Sequence, residues 1–347
     1  MVVAGHAEAV AVAQDPMRYS SAVSRFMQLP NGLDGEAHTA MRGLLDRYLN
    51  VSVVEKLEAT FRGVARELLK SFPGSSTVDA VSELGEVYAV RAMLAWLGWP
   101  QELEPRLLAW VQENSAATRS GELERTAAVA AEFDAIIGDV ITPRVDNPGE
   151  DVTSALVHDT SLGRRLEGEE VVSILRNWTA GDLGSMARCI GVIVARLCDD
   201  TTLQDRLRQG VKEVEFTSIA DEILRIDDPF VSNRRITTCP VKLGDLELPA
   251  GQRVRIHWTA ANRDPRAFPE PDTFAPEANA ERNLVWGTGP HECPGKPLSM
   301  VELRAFFEEL LTQFKLERPE QGTAAAPQRE EFPVGGWARL PVVLTRL

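Results

Sequence analysis

Residues 286–295 read Trp286-Gly287-Thr288-Gly289-Pro290-His291-Glu292-Cys293-Pro294-Gly295, a loop that places one cysteine among glycines and prolines. A helix is predicted directly after it, because apolar residues recur close to the helical period at Leu298, Val301, Leu303, Phe306, Leu310 and Phe314, with Glu302, Glu308 and Glu309 between them. The glycines let backbone N–H groups approach the sulfur, and the helix N-terminus adds a positive field. Both effects favour the thiolate, which is the form of cysteine that binds metals or acts as a nucleophile.

The surroundings of Cys293 point to a specific kind of site. Most single cysteines are small buried apolar residues, but that alternative does not explain the glycines, prolines and histidine packed around this one. The spacing resembles the haem-binding loop of the cytochromes P450, Phe-Gly-x-Gly-x-His-x-Cys-x-Gly, and only the first position differs, where Trp286 replaces Phe. The resemblance implies that Cys293 is the axial ligand of the iron of haem b and that His291 binds a haem propionate. Trp286, Gly287 and Gly295 would complete the loop around the cofactor.

The composition excludes several classes of protein. The chain has 347 residues, of which 44% are hydrophobic and 25% charged, values that are ordinary for a globular protein. The net charge of −14 argues against nucleic-acid binding, because no basic stripe offsets the acidic excess. No apolar run approaches the length of a membrane span, and no signal sequence opens the chain, so we expect no membrane association. The scattered cysteines lack zinc spacing and suit a reducing cytoplasm: Cys189, Cys198, Cys239 and Cys293.

Hydrophobic periodicity predicts a mainly α protein with small β-sheets, and the length allows one large domain or two. The resemblance implies one domain spanning residues 1–347. Residues 52–145 read as helical, with breaks at 72–76, 98–100 and 118–121. Residues 241–251 read as a hairpin and residues 254–258 as a strand, with a strand pair around 334–337. The resemblance extends from Gly5 to the C-terminus and implies the cytochrome P450 fold. Family members run to roughly 400 residues, so we expect their leading helix and part of their small sheet to be absent.

Two residues near the start of a predicted helix are candidates for binding the cofactor. His38 and Arg42 stand four positions apart and therefore lie on one helical face. On spacing alone, a solvated polar face is the ordinary interpretation. The resemblance implies instead that both residues meet haem propionates, since cationic or hydrogen-bonding groups pair well with carboxylates. It implies the same role for Arg235, at the start of a predicted strand.

A long helix is predicted from Glu169 to about Leu197, and it contains two glycines within residues 179–185. A glycine in the middle of a helix costs about 1 kcal/mol relative to alanine, so each one needs a reason. Close packing against another helix would supply one. The resemblance implies a different reason, namely that the helix kinks here beside the haem to admit dioxygen and water.

In the family, an acid–alcohol pair in this helix delivers protons to the bound oxygen, and the present chain departs from that pattern. Aligned on Ala180-Gly181, the acid and alcohol positions hold Leu183 and Gly184; shifted by one, they hold Gly184 and Ser185. Asp182 and Ser185 stand three apart and share a face, so we predict them, with Gly181, as a rearranged proton relay. The alternative is that Asp182 is a solvated helix acid or caps a kink.

Glu222 and Arg225 stand three apart on another predicted helix. On its own, such a pair is usually an exposed ion pair that contributes a few tenths of a kcal/mol. The resemblance implies a buried structural pair instead, with a third partner from a Pro-x-Arg-Phe segment. Here that segment is Pro271-Asp272-Thr273-Phe274, so the arginine has no counterpart.

Together these features predict a haem-thiolate monooxygenase that inserts one oxygen atom from O2 into a small apolar organic substrate. Since the sequence carries no flavin or iron–sulfur motif, the resemblance implies an external ferredoxin and reductase as electron donors. Two alternatives stay open: a peroxide-driven peroxygenase, because the acid–alcohol pair is missing, and a haem-binding sensor without catalysis. The residues expected to line the substrate pocket are Ala180, Leu183, Phe230, Val231 and Val334.

Overall fold

The computed structural model describes residues 1–320, 322 and 324–347. Helices dominate, and one π-helical segment (Ala80–Glu86) and several short 3-10 turns lie between them. The predicted mainly α fold with small sheets is confirmed. In chain order the helices are α1 (His6–Gln14), α2 (Gly35–Leu49), α3 (Val51–Val54), α4 (Glu58–Leu69), α5 (Val87–Leu97), α6 (Glu104–Ser120), α7 (Leu123–Asp146), α8 (Val152–Val157), α9 (Gly168–Asp199), α10 (Thr201–Arg208), α11 (Glu213–Ile226), α12 (Trp258–Ala261), α13 (Pro276–Asn279) and α14 (Lys296–Gln313).

The strands form small sheets at the edges of the helical body. The larger sheets have the orders β1–β7–β4–β2 and β3–β11–β8, and β5–β6 and β9–β10 are two-stranded pairs. The strands are β1 (Val2–Val3), β2 (Tyr19–Ser20), β3 (Ser75–Asp79), β4 (Ser232–Thr237), β5 (Val241–Leu243), β6 (Leu246–Leu248), β7 (Arg253–His257), β8 (Phe314–Glu317), β9 (Gln328–Arg329), β10 (Trp337–Arg339) and β11 (Pro341–Arg346). The predicted hairpin at 241–251 and the strand near 254–258 are therefore present.

Within residues 52–145 the predicted break at 72–76 is present, but the expectation of helix directly after it is wrong, because β3 occupies Ser75–Asp79. This strand pairs antiparallel with β11, and Val78 stands opposite Val342. The partner lies at the other end of the chain, so no local pattern in 75–79 reveals it. Strand preference depends on such tertiary partners more than on the segment itself.

Helix α9 is 32 residues long and runs through the centre of the fold. Its start carries a capping box, in which the side chains of Glu167 and Glu170 each accept a hydrogen bond from the other residue's backbone. It packs against the segment Ala80–Glu86 and against α5, α7 and α11. The approach is closest at Gly85, where an added Cβ would lie 2.7 Å from the Cα of Ala187. A larger residue than glycine would force these helices apart.

Helix α14 follows the cysteine loop and packs against α4. Its predicted apolar positions are buried, and two of its glutamates pair with α4, Glu308 with Arg62 and Glu309 with Arg66. Glu302 differs, because it is fully buried. The sequence pattern does not distinguish the three glutamates. Only the tertiary packing shows that one of them is fully buried.

The predicted Glu222–Arg225 pair of α11 is buried. Neighbouring groups provide the further hydrogen bonds that the missing arginine would have provided. Arg225 donates to the backbone oxygens of Asn262 (2.7 Å) and Pro271 (3.0 Å). Glu222 accepts from the side chain of Asn279 at 2.7 Å. No helix in the described part of the chain is both long and apolar enough to cross a lipid bilayer.

Candidate active site

A cavity of about 340 Å³ lies between α9, the cysteine loop and the segment leading into β4. It brings together residues that are far apart in the sequence. Most of the predicted site residues line it: Gly181, Asp182, Ser185, Phe230, Arg235, Trp286, Gly287, His291, Cys293 and Gly295. His38 and Arg42 stand behind this wall, on α2.

Cys293 reaches the cavity from a tightly folded loop. Its backbone N–H donates to the carbonyl oxygen of Trp286 at 2.8 Å, which closes the loop. Gly287 and Gly289 have φ values of +72° and +76°, a region that glycine adopts without strain. At Gly289 an added Cβ would also lie 2.9 Å from the carbonyl oxygen of Ala13. Glycine is therefore required there both for conformation and for space.

The protonation of Cys293 differs from the sequence-based expectation. Burial raises the pKa of its thiol above the ordinary value, although N–H groups of Gly295 and Lys296 and the charge of Arg42 act in the opposite direction. The helix terminus alone thus does not secure the thiolate, because desolvation outweighs it. A bound metal ion would reverse this balance, since a coordinating thiol loses its proton outright.

His291 belongs to a small polar network at one side of the cavity. Its ring lies 4.1 Å from the ring of His38, centroid to centroid. Its Nε2 is 3.0 Å from Ser21 Oγ and 3.1 Å from Asp34 Oδ1. Burial and the neighbouring positive groups lower the pKa of His291 to about 4, so its ring is neutral at pH 7. Sequence reasoning missed Ser21 and Asp34, which carry no motif of their own.

The two predicted arginines have different environments. Arg42 donates to the carbonyl oxygen of Glu292 at 2.7 Å and to Asp46 Oδ1 at 2.8 Å, so it braces the cysteine loop. Arg235 is only 6% exposed, and its Nη1 donates to the backbone oxygen of Arg234 at 2.9 Å. Its Nε has no partner, and its charge forms no ion pair with any described residue. Burial lowers its pKa accordingly.

An unpaired guanidinium at the wall of a cavity is suited to an anionic ligand group, because a buried charge otherwise carries a large desolvation cost. A carboxylate of the cofactor would neutralise Arg235 in this way. Among the described residues no cluster of three or more His, Cys, Asp or Glu side chains is arranged to hold a metal ion. A single thiolate beside an unpaired buried cation therefore fits a metal that arrives within an anionic cofactor such as haem.

The predicted relay of Asp182 and Ser185 is not joined through its side chains. Ser185 Oγ donates to the backbone oxygen of Asp182 at 3.4 Å, and Oδ2 of the buried Asp182 carboxyl group has no hydrogen-bond partner among the described residues. Ser185 lines the cavity, whereas Leu183 is buried in the core and Gly184 faces the guanidinium of Arg188. Of the two possible alignments, this placement favours the one with Ser185 at the alcohol position.

Gly181 faces the cavity rather than a neighbouring helix. A Cβ added there would meet no atom within 4 Å outside the local backbone. Close helix packing therefore does not explain this glycine. The helix is continuous over residues 168–199, so the expected kink does not interrupt the backbone hydrogen bonds of the helix.

The predicted substrate contacts divide into two groups. Phe230 lines the cavity, but Ala180, Leu183, Val231 and Val334 do not. Ala180 and Leu183 pack into the core, on sides of α9 turned away from the cavity. Val231 packs beside Gly335, where an added Cβ would lie 3.0 Å from its Cγ2, and Val334 lies in the loop between β9 and β10. Sequence reasoning missed three amides that line the cavity: Asn31, Asn177 and Asn233.

Trp286, the one departure from the family loop, has a specific partner. Its indole Nε1 donates to Asp221 Oδ1 at 2.6 Å. Lys296 Nζ lies 3.0 Å from the other oxygen of Asp221. A phenylalanine cannot form the first of these bonds, so tryptophan ties the loop to α11.

Comparison with known proteins agrees with this geometry. The family model described as Cytochrome P450 matches residues 189–337. Cyclomarin C epoxidase CymV of Salinispora arenicola is 26% identical over 318 residues, which cover 86% of this chain and 80% of the relative. The 6-deoxyerythronolide B hydroxylase of Saccharopolyspora erythraea is 27% identical over 280 residues, which cover 79% and 68%.

The same relationship extends to the three-dimensional structure. A mutant of P450 EryK in complex with erythromycin B matches with a TM-score of 0.87 at 25% identity, over 99% of this chain and 90% of that one. The open form of EryK from S. erythraea matches with a TM-score of 0.88 at 26% identity, with the same coverage. These comparisons do not support the peroxide-driven or the sensor alternative.

Proposed function

The chain belongs to the cytochrome P450 family of haem b monooxygenases, and on this premise we propose that it inserts one oxygen atom from O2 into a small apolar organic substrate with Cys293 as the axial ligand of the iron. The observation that carries the proposal is the cavity shared by Cys293 and the unpaired Arg235. Bound haem supplies the redox chemistry that activates O2, and a thiolate ligand favours cleavage of the O–O bond.

Several residues around the cavity would contact the cofactor, each in a different way. Arg235 would pair with one propionate, since it is buried and forms no ion pair with any described residue. His291 and His38 would approach the propionates as neutral hydrogen-bonding groups, because burial lowers both of their pKa values. Arg42 would act partly through the loop, because it already donates to the carbonyl oxygen of Glu292.

The walls of the cavity support a substrate that is apolar with a few polar groups. Phe230 and Trp178 supply apolar surface, and the amides of Asn31, Asn177 and Asn233 lie beside them. Binding sites of this kind use apolar walls for affinity and a few polar groups for orientation. The relatives named above act on cyclomarin C and 6-deoxyerythronolide B by their names, and we propose that this chain likewise acts on an organic small molecule.

We assign the supply of electrons to an external ferredoxin and its reductase. These 347 residues hold no flavin or iron–sulfur motif, and the external donor is the source of electrons that the family resemblance implies. The decisive comparison is product formation with NAD(P)H, ferredoxin and reductase against product formation with hydrogen peroxide alone. Turnover under the first condition only is the expected result, and turnover driven by peroxide alone would contradict this assignment.

The ligand assignment is tested by the absorption spectrum of the reduced, carbon-monoxide-bound protein. Wild type should show the spectrum typical of a haem thiolate, and Cys293→Ala should lose it. Cys239→Ala is a matched control, because that cysteine lies away from the cavity on the loop after β4. A thiolate spectrum that persists in Cys293→Ala would overturn the proposal.

A further inference from the structure

One of the asparagine amides that line the cavity is held in a single orientation by its hydrogen bonds. Asn177 stands on α9, and its Nδ2 donates to the backbone oxygens of Leu29 at 2.9 Å and of Ser173 at 3.0 Å. A side-chain amide nitrogen carries two N–H groups, so both donors of Asn177 are used. Its carbonyl oxygen, Oδ1, stands on the other side of the amide, where Asn31 also lines the cavity.

The amide of Asn177 cannot turn over to offer a donor instead. A half turn would place Oδ1 against two carbonyl oxygens and leave both of them without their donors, which is costly in a part-buried place. The backbone N–H of Leu29 also donates to Ser173 Oγ at 2.9 Å, and this hydroxyl donates to the backbone oxygen of Met27 at 3.2 Å. The segment 27–31 is therefore tied to α9 independently of Asn177, and the acceptor is in place before a ligand binds.

The donor that Asn177 Oδ1 has within the protein is a weak one. Asn31 Nδ2 lies 3.4 Å from it, which is long beside the usual distance of about 2.9 Å. Asn31 is exposed, and this contact is the one hydrogen bond of its amide to a described residue. Because a carbonyl oxygen has two lone pairs, Asn177 Oδ1 keeps the capacity for a stronger donor.

Open space lies beside this acceptor. Gly181 is one helical turn after Asn177 and lines the same cavity, and a Cβ added to it would meet no atom within 4 Å outside the local backbone. Side chains of a helix tilt toward its N-terminus, so the space at Gly181 lies on the side of Asn177. Trp178 and Phe230 add apolar surface to the same cavity. A ligand can thus place one polar group at Oδ1 and its apolar part against these side chains.

The chemistry of the two amides narrows the choice of this polar group. A ketone or ether oxygen only accepts hydrogen bonds, so it cannot bind Asn177 Oδ1. A cation would lose its hydration without gaining a counter-charge from either amide. A hydroxyl group is donor and acceptor at one atom: it can donate to Asn177 Oδ1 and accept from Asn31 Nδ2. Such a group would replace one long contact by two ordinary hydrogen bonds.

We propose that the substrate carries a hydroxyl group, to which Asn177 Oδ1 is the acceptor and Asn31 Nδ2 the donor. The substrate class is then an apolar alcohol rather than a hydrocarbon, a ketone or an ether. This proposal rests on the proposed function, because it concerns the molecule that the monooxygenase would oxidise. A bond fixed at one end of the substrate limits which of its carbon atoms can face the reacting side of the cavity. Asn177 is therefore a specificity-determining residue.

The test compares alcohols with ketones of the same carbon skeleton, on the oxidised, haem-loaded protein. The probes are cyclododecanol with cyclododecanone, menthol with menthone, and 2-adamantanol with 2-adamantanone. Calorimetry gives each dissociation constant, and the shift of the haem absorption band shows that the probe occupies the cavity. We expect at least one alcohol to bind about ten times more tightly than its ketone, which is the effect of one hydrogen bond to a fixed acceptor.

Two variants separate the acceptor from the donor. Asn177→Leu removes the acceptor at a similar volume, so alcohol and ketone should bind almost equally. Asn31→Ala removes a donor that the oxygen of either probe can use, so both should bind more weakly and the preference for the alcohol should persist. Ser173→Ala is the matched control, because it removes the hydroxyl tie between α9 and the segment 27–31 but leaves the Asn177 amide in place. It should keep the wild-type preference.

Three outcomes would overturn the proposal. The first is that no alcohol binds more tightly than its ketone, and the second is that a preference survives in Asn177→Leu. The third is an equal loss of preference in Ser173→Ala, because the order of the segment 27–31 would then set the preference rather than Oδ1. None of them bears on the ligation of iron by Cys293, which the carbon-monoxide spectrum tests separately. Failure of this inference and failure of the proposed function can therefore be told apart.

Discussion

Arg225 and Glu222 meet through two parallel hydrogen bonds inside the protein, Nε to Oε2 at 2.7 Å and the second guanidinium nitrogen to Oε1 at 2.9 Å. Neither side chain is more than 2% exposed. The ring of Phe268 lies 4.7 Å from the guanidinium carbon. The pair therefore fixes α11 against the segment between α12 and α13, which precedes the cysteine loop in the chain.

Removing one partner of this pair should be strongly destabilising. Arg225→Met leaves a buried carboxylate without its cation, and we expect the free energy of unfolding to fall by about 3–5 kcal/mol in a urea titration. Arg66→Met is the matched control, because Arg66 also forms a two-bond pair, with Glu309, but its side chain is 55% exposed. That control should lose no more than about 1 kcal/mol. Equal losses in the two variants would contradict the role assigned to burial.

The close approach of α9 to the segment Ala80–Glu86 gives a second stability prediction. Gly85→Ala places a Cβ 2.7 Å from the Cα of Ala187, and backbone cannot move aside as a flexible side chain can. We expect a loss of about 1–3 kcal/mol in the free energy of unfolding. Gly138→Ala on α7 should instead be neutral or stabilising by up to about 1 kcal/mol, since nothing lies within 4 Å of its added Cβ. Stabilisation by both substitutions would show that the helices have room to separate.

The sequence predicted those parts of the fold that local patterns specify. Helix α9 and the helix after the cysteine loop carry a helical period, and the cysteine loop carries its own spacing of glycines. Strand β3 and the burial of Glu302 could not be predicted, because both depend on partners far away in the chain. A glutamate has the same place in a helical pattern whether it faces solvent or the protein interior.

The residues of the candidate site, too, could be predicted only where they belong to a motif. The cysteine, the histidines and the arginines follow from spacing and from resemblance, since each belongs to a motif. The hydrogen-bond partners of His291 and Trp286 do not, because Asp34 and Asp221 stand in no motif and reach the site only through folding. Alternation along a strand predicts that Arg234 and Arg235 point to opposite faces of the sheet. It does not predict which of the two is buried.

The bond between Trp286 and Asp221 should contribute to stability as a single unit. Trp286→Phe and Asp221→Asn each weaken or remove it, and we expect each to lower the free energy of unfolding by about 1 kcal/mol. The double variant should lose clearly less than the sum of the two, because the second substitution has no bond left to remove. A urea titration of all four proteins measures this coupling. Strict additivity would mean that the bond makes no contribution.

The unpaired guanidinium of Arg235 should govern how firmly haem is held. Arg235→Met removes the charge that would pair with a propionate, and we expect haem to transfer to an acceptor apoprotein about ten times faster or more, because a buried charge-assisted bond contributes about 1.5–3 kcal/mol. Arg234→Met is the matched control, since Arg234 is the exposed neighbour on the same strand. Equal transfer rates from wild type and Arg235→Met would remove Arg235 from the list of haem partners.

The raised pKa of Asp182 implies a specific dependence of stability on pH. In the unfolded chain this carboxyl group ionises around its ordinary pKa of 3.8, but in the folded protein burial raises its pKa to about 7. Between these values the folded state binds more protons than the unfolded state, so the contribution of Asp182 to stability is present at about pH 4 and is lost as the pH rises toward 7. Other groups contribute as well: Glu86, whose pKa burial also raises to about 7, acts in the same direction, and His291 acts in the opposite one.

The difference between variant and wild type isolates the share of Asp182. In Asp182→Asn the free energy of unfolding should fall less steeply between about pH 4 and pH 7, by up to about 1.4 kcal/mol per pH unit, which is the slope that one proton gives. Urea titrations at a series of pH values measure it. Asp139→Asn, whose side chain is 74% exposed on α7, should keep the wild-type slope. If Asp182→Asn also kept that slope, the Asp182 carboxyl group would be ionised in the folded protein across this pH range, and burial would not raise its pKa as we expect.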